Sequence, residues 1–466
     1  MQVYMENIRR KYFGDKAFYF MVLGIAVPIM IQNGITNFVG MLDNIMIGRV
    51  GTGQMSGASI VNQLIMVYNL CIFGGISGAG IFTAQYFGQG QQEGIRATFR
   101  FKLWLAAIVT ILTTILFLTE GSGLINLYLS GEGTPQQRQE ILTYGLQYLH
   151  IMLAGLPAFM LAQVYAGTLR ECGETLMPMT AGITAVFVNL VFNYLLIYGK
   201  FGFPRMGVAG AAAATVLSRY VECFIIVLWT HTKGRKLAFV EGLYSTMKVP
   251  RILLRKFIVT GMPLLINETL WSGGVAMLAQ CYSVRGLDVV AALNISNTIT
   301  NLFNIVLISM GNSVAIIVGQ LLGAGRLDEA RDTDRKLICM SVMLCILPGL
   351  IMFLIAPLFP EIYLTTDAVR GTAASFIRVG AAFMPVNAFL NASYFTLRSG
   401  GKTIITFIFD SVFIWCVSVT SAFILTRFTA LPVVAVFTIV TSMEILKAVF
   451  GFILVKKGIW VQNIVS

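Results

Sequence analysis

Gln85-Tyr86-Phe87-Gly88-Gln89-Gly90, followed by Arg96, returns 235 residues later as Gln320-Leu321-Leu322-Gly323-Ala324-Gly325, followed by Arg331. Working outward without gaps, Asn69 meets Asn304, Asn62 meets Asn297, Gly51 meets Gly286 and Pro28 meets Pro263. Further on, at a spacing of 228, Pro157 meets Pro385. Thr168-Leu169-Arg170 with Gly173 and Thr175 meets Thr396-Leu397-Arg398 with Gly401 and Thr403. A fixed-period match of this length marks a duplicated structural unit.

The unit is a membrane bundle. Of the 466 residues 57% are hydrophobic and 12% charged, against about 25% charged in soluble domains. That much apolar side chain cannot be hidden inside one water-facing globule, which excludes a soluble enzyme, a nucleic-acid binder and a disordered scaffold. Apolar stretches of roughly 20 residues or more, enough to cross the hydrocarbon, fall near 17–47, 54–82, 98–119, 137–165, 177–199, 206–230, 252–282, 287–318, 337–357, 369–395, 402–427 and 432–455. The expected fold class is therefore all-α integral membrane, with twelve transmembrane helices in two parallel six-helix lobes. Residues 1–232 form the first lobe, 233–251 a cytoplasmic inter-lobe loop and 252–466 the second lobe. Pro28 and Pro263 are expected bend points.

Charge position sets the orientation. Of the 33 Lys and Arg, 23 fall on the side of the termini, including Arg9, Arg10, Arg96, Arg100, Lys102, Lys233, Arg235 and Lys236, against 7 on the other side. The positive-inside rule then puts both termini in the cytoplasm. The basic stretch 233–256 is read as topology, and no nucleic-acid partner is inferred from the net charge of +12. The seven cysteines are dispersed, with no CxxC and no neighbouring His, and His150 and His231 stand far apart. Neither a disulfide framework nor a zinc site is expected. Gly401-Lys402-Thr403 resembles the end of a phosphate-binding loop, but Thr396 stands where its first Gly belongs, so no ATPase engine is present. No GxSxG or Cys/His nucleophile occurs either, and the chain is not read as an enzyme.

Carboxylates inside spans are costly and are functional candidates by default. Glu222 lies three residues from Arg219 and Glu444 three from Lys447, spacings that suggest structural pairs. Asp43, Glu268 and Asp410 have no such neighbour. Asp43 follows the Pro28 bend in the first span, where a desolvated carboxyl could alternate between protonated and ionised forms as access switches. Glu268, with Trp271 one turn on, could hold a cation. Asn189 and Asn193 share a face of the fifth span and could complete a polar pocket with Asp43, or act only as interhelical hydrogen-bonding groups. Gly53xxxGly57 and Gly74xxxGly78 read as close-packing faces. The acids Asp328, Glu329, Asp332 and Asp334, interleaved with Arg331, Arg335 and Lys336, read as a solvated, salt-bridged helix face.

Together, Asp43-Asn44-Ile45-Met46-Ile47-Gly48-Arg49-Val50-Gly51, the Gln85 to Gly90 and Gly319 to Gly325 segments, Asn189 to Gly199 and Gly207 to Thr215 resemble the multidrug and toxic compound extrusion (MATE) transporters. The resemblance spans nearly the whole chain and includes the duplication. It implies a V-shaped fold of two lobes in the cytoplasmic membrane, exporting organic cations or other amphiphiles in exchange for protons or sodium. It implies no cofactor beyond the coupling ion, and a chain acting as a monomer among membrane lipids. By motif match the coupling site falls on Asp43, Asn189, Asn193 and Thr215. Some members carry Asp at the position of Asn193. The missing carboxylate here favours H+ over Na+ as the ion at Asp43, and no other metal is expected. Glu268, Trp271 and Asp410 are candidates for a substrate or second cation site. The alternatives are a flippase for lipid-linked glycans and, further off, an integral-membrane enzyme.

Overall fold

The computed structural model describes residues 11–129, 134–232 and 237–466, without the side chains of Met41 and Asn44. Arg9, Arg10, Lys233, Arg235 and Lys236 lie outside the described residues. All regular structure among the described residues is helical. The helices are α1 (Lys16–Gly48), α2 (Thr52–Gln89), α3 (Gln92–Leu129), α4 (Pro135–Leu153), α5 (Leu156–Glu171), α6 (Leu176–Tyr198) and α7 (Val208–Thr232). After the connecting segment come α8 (Arg251–Ser283), α9 (Leu287–Gly323), α10 (Leu327–Ile355), α11 (Asp367–Ser399), α12 (Thr403–Phe428) and α13 (Val433–Lys457).

Ten of these are long and apolar enough to cross a membrane, and the bent pair α4–α5 makes eleven. The expected span near 252–282 is α8, which at 33 residues is long enough but carries Arg251, Arg255, Lys256 and Glu268. This is a multi-pass membrane protein. Pro28 and Pro263 lie inside α1 and α8. The expected single span 137–165 is instead two helices meeting at 49°. The break falls at Ala154-Gly155, ahead of Pro157. In the second copy Pro385 sits inside the unbroken α11, where Phe383 occupies the place of Gly155.

The chain gathers into two compact units. One comprises Met1–Met30, Ala84–Gln91 and Phe257–Ser466. Its main apolar cluster joins Val22 and Ala26 of α1 to Val314 and Val318 of α9, Leu337 of α10, Leu397 of α11 and Trp460. Within this unit the duplicated motifs meet reciprocally, Gly88 packing on the backbone of Gln320 and Gly323 on the backbone of Gln85. Asp334 departs from the solvated face expected for it. Arg331 with Asp328 and Lys336 with Asp332 pair along the surface of α10, but Asp334 is 1% exposed and accepts a hydrogen bond from Thr396 Oγ1 at 2.5 Å. It belongs to the buried stripe Ala330, Thr333, Asp334, Leu337, Ile338, Ser341, spaced as one helix face.

The other unit comprises Ile31–Thr83 and Gln92–Lys256. Arg100 and Lys102, counted among the charges on the side of the termini, are both buried. Arg96 donates to the carbonyls of Ala238 and Phe239, Arg100 to those of Gly242 and Leu243, and Trp104 to that of Met247. These bonds tie the connecting segment to α3. Lys102 is ion-paired with Glu171 and donates to Thr168 Oγ1 at 3.2 Å. A buried ion pair contributes little net stability, but removing one partner is expensive because the other charge is left behind. Lys102→Met should therefore lower stability by about 3 kcal/mol, the lower end for such pairs because Glu171 keeps some solvent contact. Lys102→Met with Glu171→Gln should recover most of the loss. Thermal melting of the purified variants checks both, and a double variant no better than the single one would refute the account.

Candidate functional site

The site residues expected on α1, α6 and α7 come together because small residues let these helices approach closely. A Cβ at Gly210 of α7 would sit 2.6 Å from the carbonyl oxygen of Leu196 on α6, so the two helices can touch only where that atom is missing. α6 ends at Gly199, whose left-handed backbone (φ 65°) caps the helix and favours glycine. Gln54 accepts from Val208 N at 2.9 Å and fixes the start of α7. Tyr198 donates to the carbonyl of Met46 at 3.1 Å and holds the end of α1 against α6.

Within that frame Asn193 Nδ2 donates to Asp43 Oδ1 at 2.6 Å and to Asn189 Oδ1 at 3.1 Å. Asn189 Nδ2 lies 3.2 Å from Thr215 Oγ1, and the Thr215 hydroxyl donates to Ala211 O at 3.0 Å. The four residues expected to form a site are thus one hydrogen-bonded chain. With its amide turned over, Asn189 would donate to both oxygens of Asp43, at 3.0 and 3.2 Å, and accept from Thr215. Asn189 and Asn193 are buried, and Asn193 Oδ1 is buried with no hydrogen-bond partner. An unpaired buried acceptor carries a desolvation cost and is available to a proton donor or a cation. The two carboxylate oxygens, two amide oxygens and one hydroxyl form an all-oxygen set, the donor chemistry suited to hard cations. Among the described residues, no group of three or more His, Cys, Asp or Glu could hold a metal ion.

A wider set of buried polar groups lies around it. Tyr148 donates to Asn62 Oδ1 at 3.2 Å. Arg219, one turn after Thr215, stands over the ring of Phe159 at 5.0 Å. Glu222 faces both Arg170 and Arg219. Its electrostatic partners therefore include the neighbour expected from its spacing and a second arginine from α5. Beyond the Arg219–Glu222 spacing, none of this was legible from sequence, since the groups come from four different helices.

The carboxylates of the other unit form a second cluster. Asp410 on α12 accepts from Lys447 of α13 at 2.7 Å and from Asn267 of α8 at 3.3 Å. Asn267 also donates to Tyr394 OH at 3.3 Å and accepts from Ser411 Oγ at 2.7 Å. Lys447, paired with Glu444 on sequence grounds, is 4.0 Å from it and nearer to Asp410. Glu268 faces Tyr394, Arg398 and Asp410. Trp271 is 42% exposed.

Comparison with known proteins agrees with this architecture. The sequence model of the MatE family matches residues 28–195 and 263–424. Among curated relatives, a probable multidrug resistance protein NorM of Thermotoga maritima is 26% identical, the match covering 95% of this chain and 93% of that one. Multidrug resistance protein PmpM of Pseudomonas aeruginosa is 28% identical, covering 84% and 81%. Among solved structures, a MATE protein in complex with MaL6 superposes with a TM-score of 0.82 at 19% identity, covering 97% of both chains. A MOP superfamily transporter of Pyrococcus furiosus superposes with 0.83 at 20% identity, also covering 97% of both. These structures share the fold, and with both halves of the duplication inside the matched residues, the chain belongs to the MatE family of multi-pass membrane transporters.

Proposed function

We propose that the protein is an ion-coupled antiporter of the cytoplasmic membrane, with both termini in the cytoplasm, exporting organic cations. The observation that carries this reading is the Asp43 chain of hydrogen bonds, with its unpartnered Asn193 Oδ1, set among apolar helices. An inwardly moving ion binds there, neutralises Asp43 and changes the packing of α1 against α6, which releases substrate outside. When the ion leaves toward the cytoplasm, ionised Asp43 favours cationic substrate again. The proton is the favoured ion, because the cluster holds one carboxylate and sodium would have to be held by one full charge and neutral oxygens.

The test is uptake of a fluorescent organic cation into everted membrane vesicles under an imposed pH gradient and, separately, a sodium gradient. Uptake driven by the pH gradient alone is expected, and uptake under neither gradient would sink the reading. Asn193→Asp should shift the balance, because it sets a second carboxyl against Asp43 where Nδ2 now stands 2.6 Å away. Two carboxylates that close cannot both ionise without a cation between them. The variant should gain sodium-stimulated uptake of several-fold or more, and an unchanged response to sodium would remove the argument for ion choice.

A further inference from the structure

α12 and α13 bring one ammonium, two carboxylates and two aromatic rings together within a single unit. Lys447 Nζ donates to Asp410 Oδ1 at 2.7 Å and stands 4.0 Å from Glu444 Oε2. It also lies 5.3 Å from the centre of the Phe409 ring and 5.8 Å from that of Phe413. An ammonium between carboxylates and over ring faces is the arrangement by which proteins recognise organic ammonium ions. Here the ammonium is carried by the protein itself.

The shell around Lys447 has supports of its own. The second oxygen of Asp410 accepts from Asn267, and Ser411 donates to the side-chain and backbone oxygens of Asn267 at 2.7 and 2.9 Å. α12 is wound as π-helix over Ile408–Val412 and again over Ile414–Val419. π turns are uncommon and widen the helix, and Phe409, Asp410 and Phe413 of this one stretch all reach the same ammonium. On α13 the helix is interrupted at Met443, and Glu444 opens the segment that carries Lys447. A simple helix-to-helix ion pair needs none of this.

We propose that this cluster is a binding site for a primary ammonium ion, filled in the wild-type protein by Lys447 as a tethered ligand. The site accepts a free cation only when the tether is cut. One consequence rests on the antiporter reading: with this cluster occupied, the coupling ion in the wild-type chain is taken at Asp43.

Cutting the tether provides the test. Lys447→Ala removes Cγ, Cδ, Cε and Nζ, which n-propylammonium replaces atom for atom. The melting temperature of the purified variant should lie below that of wild type, and n-propylammonium chloride should restore at least half of the loss saturably. 1-Propanol, of the same size and uncharged, should not, and neither should the amine act on wild type or on the variant that also carries Asp410→Asn. Equal shifts in wild type and variant, equal shifts with the alcohol, or a shift that survives Asp410→Asn would each show a merely structural ion pair and overturn the proposal. If Lys447→Ala is not recovered folded, Lys447→Met keeps the stem and lacks only the charged end, and ammonium ion is its probe. Recovery that depends on the added cation supports the site, and no response in either variant overturns it. Melting reads binding alone, so a failed antiporter assay and a failed tethered-ligand test remain distinct results.

Discussion

Asp43→Asn abolishes gradient-driven uptake while leaving folded yield and melting temperature close to wild type. The expectation follows from what the surrounding amides can do. An ionised carboxylate needs donors, and it has Asn193 Nδ2 at 2.6 Å, with Asn189 able to turn and supply further N–H groups at 3.0 and 3.2 Å. A protonated Asp43 needs an acceptor, and turning over the Asn193 amide brings its unpartnered Oδ1 to the same 2.6 Å position, a normal O–H···O separation. Two side-chain amides thus offer hydrogen-bond partners to either charge state. Asparagine at position 43 has the same shape and stays neutral, so it leaves the fold in place and removes the change of charge. Coupled uptake should fall to background. Gradient-driven uptake by Asp43→Asn at wild-type rates would remove Asp43 from the coupling step, whatever the behaviour of other residues.

Much of this site was legible because of its setting. A carboxyl in a span with no cation within a turn is conspicuous, and the four-residue spacing of Asn189 and Asn193 puts both on one face without any structure. Thr215 carries no such signal, since Thr is ordinary in membrane helices, and only the motif resemblance pointed to it. Asp410 looked equally unpaired, but its cation, Lys447, is 37 positions away on another helix. A pairing rule that looks three or four residues along the chain cannot find it. Asp334 failed for the opposite reason. Its neighbours Asp332, Arg335 and Lys336 suggest a wet face, while its own register turns it inward with Leu337 and Ser341. The π turns of α12 left no trace, because 402–427 reads as an ordinary apolar span. The duplication itself was plain, since the same close approach is required twice.

Alanine at either Gly88 or Gly323 should prevent recovery of folded protein. A Cβ on Gly323 would lie 2.5 Å from both the carbonyl carbon and Cα of Gln85 and closer still to its oxygen. On Gly88 it would lie 2.7 Å from the carbonyl carbon of Gln320 and 2.9 Å from its Cα. The obstacle in both cases is backbone, which cannot rotate away as a side chain can. Nor can Gln85 retreat freely, because its amide donates to Ser399 O and accepts from Ile464 N, each at 2.9 Å. The cost should exceed the roughly 1–3 kcal/mol typical of overpacked cores. Gly34→Ala is the control, since nothing lies within 4 Å of the place its methyl would take, and it should melt close to wild type. Melting of Gly323→Ala at the temperature of Gly34→Ala would mean that the repeated glycines serve something other than this contact.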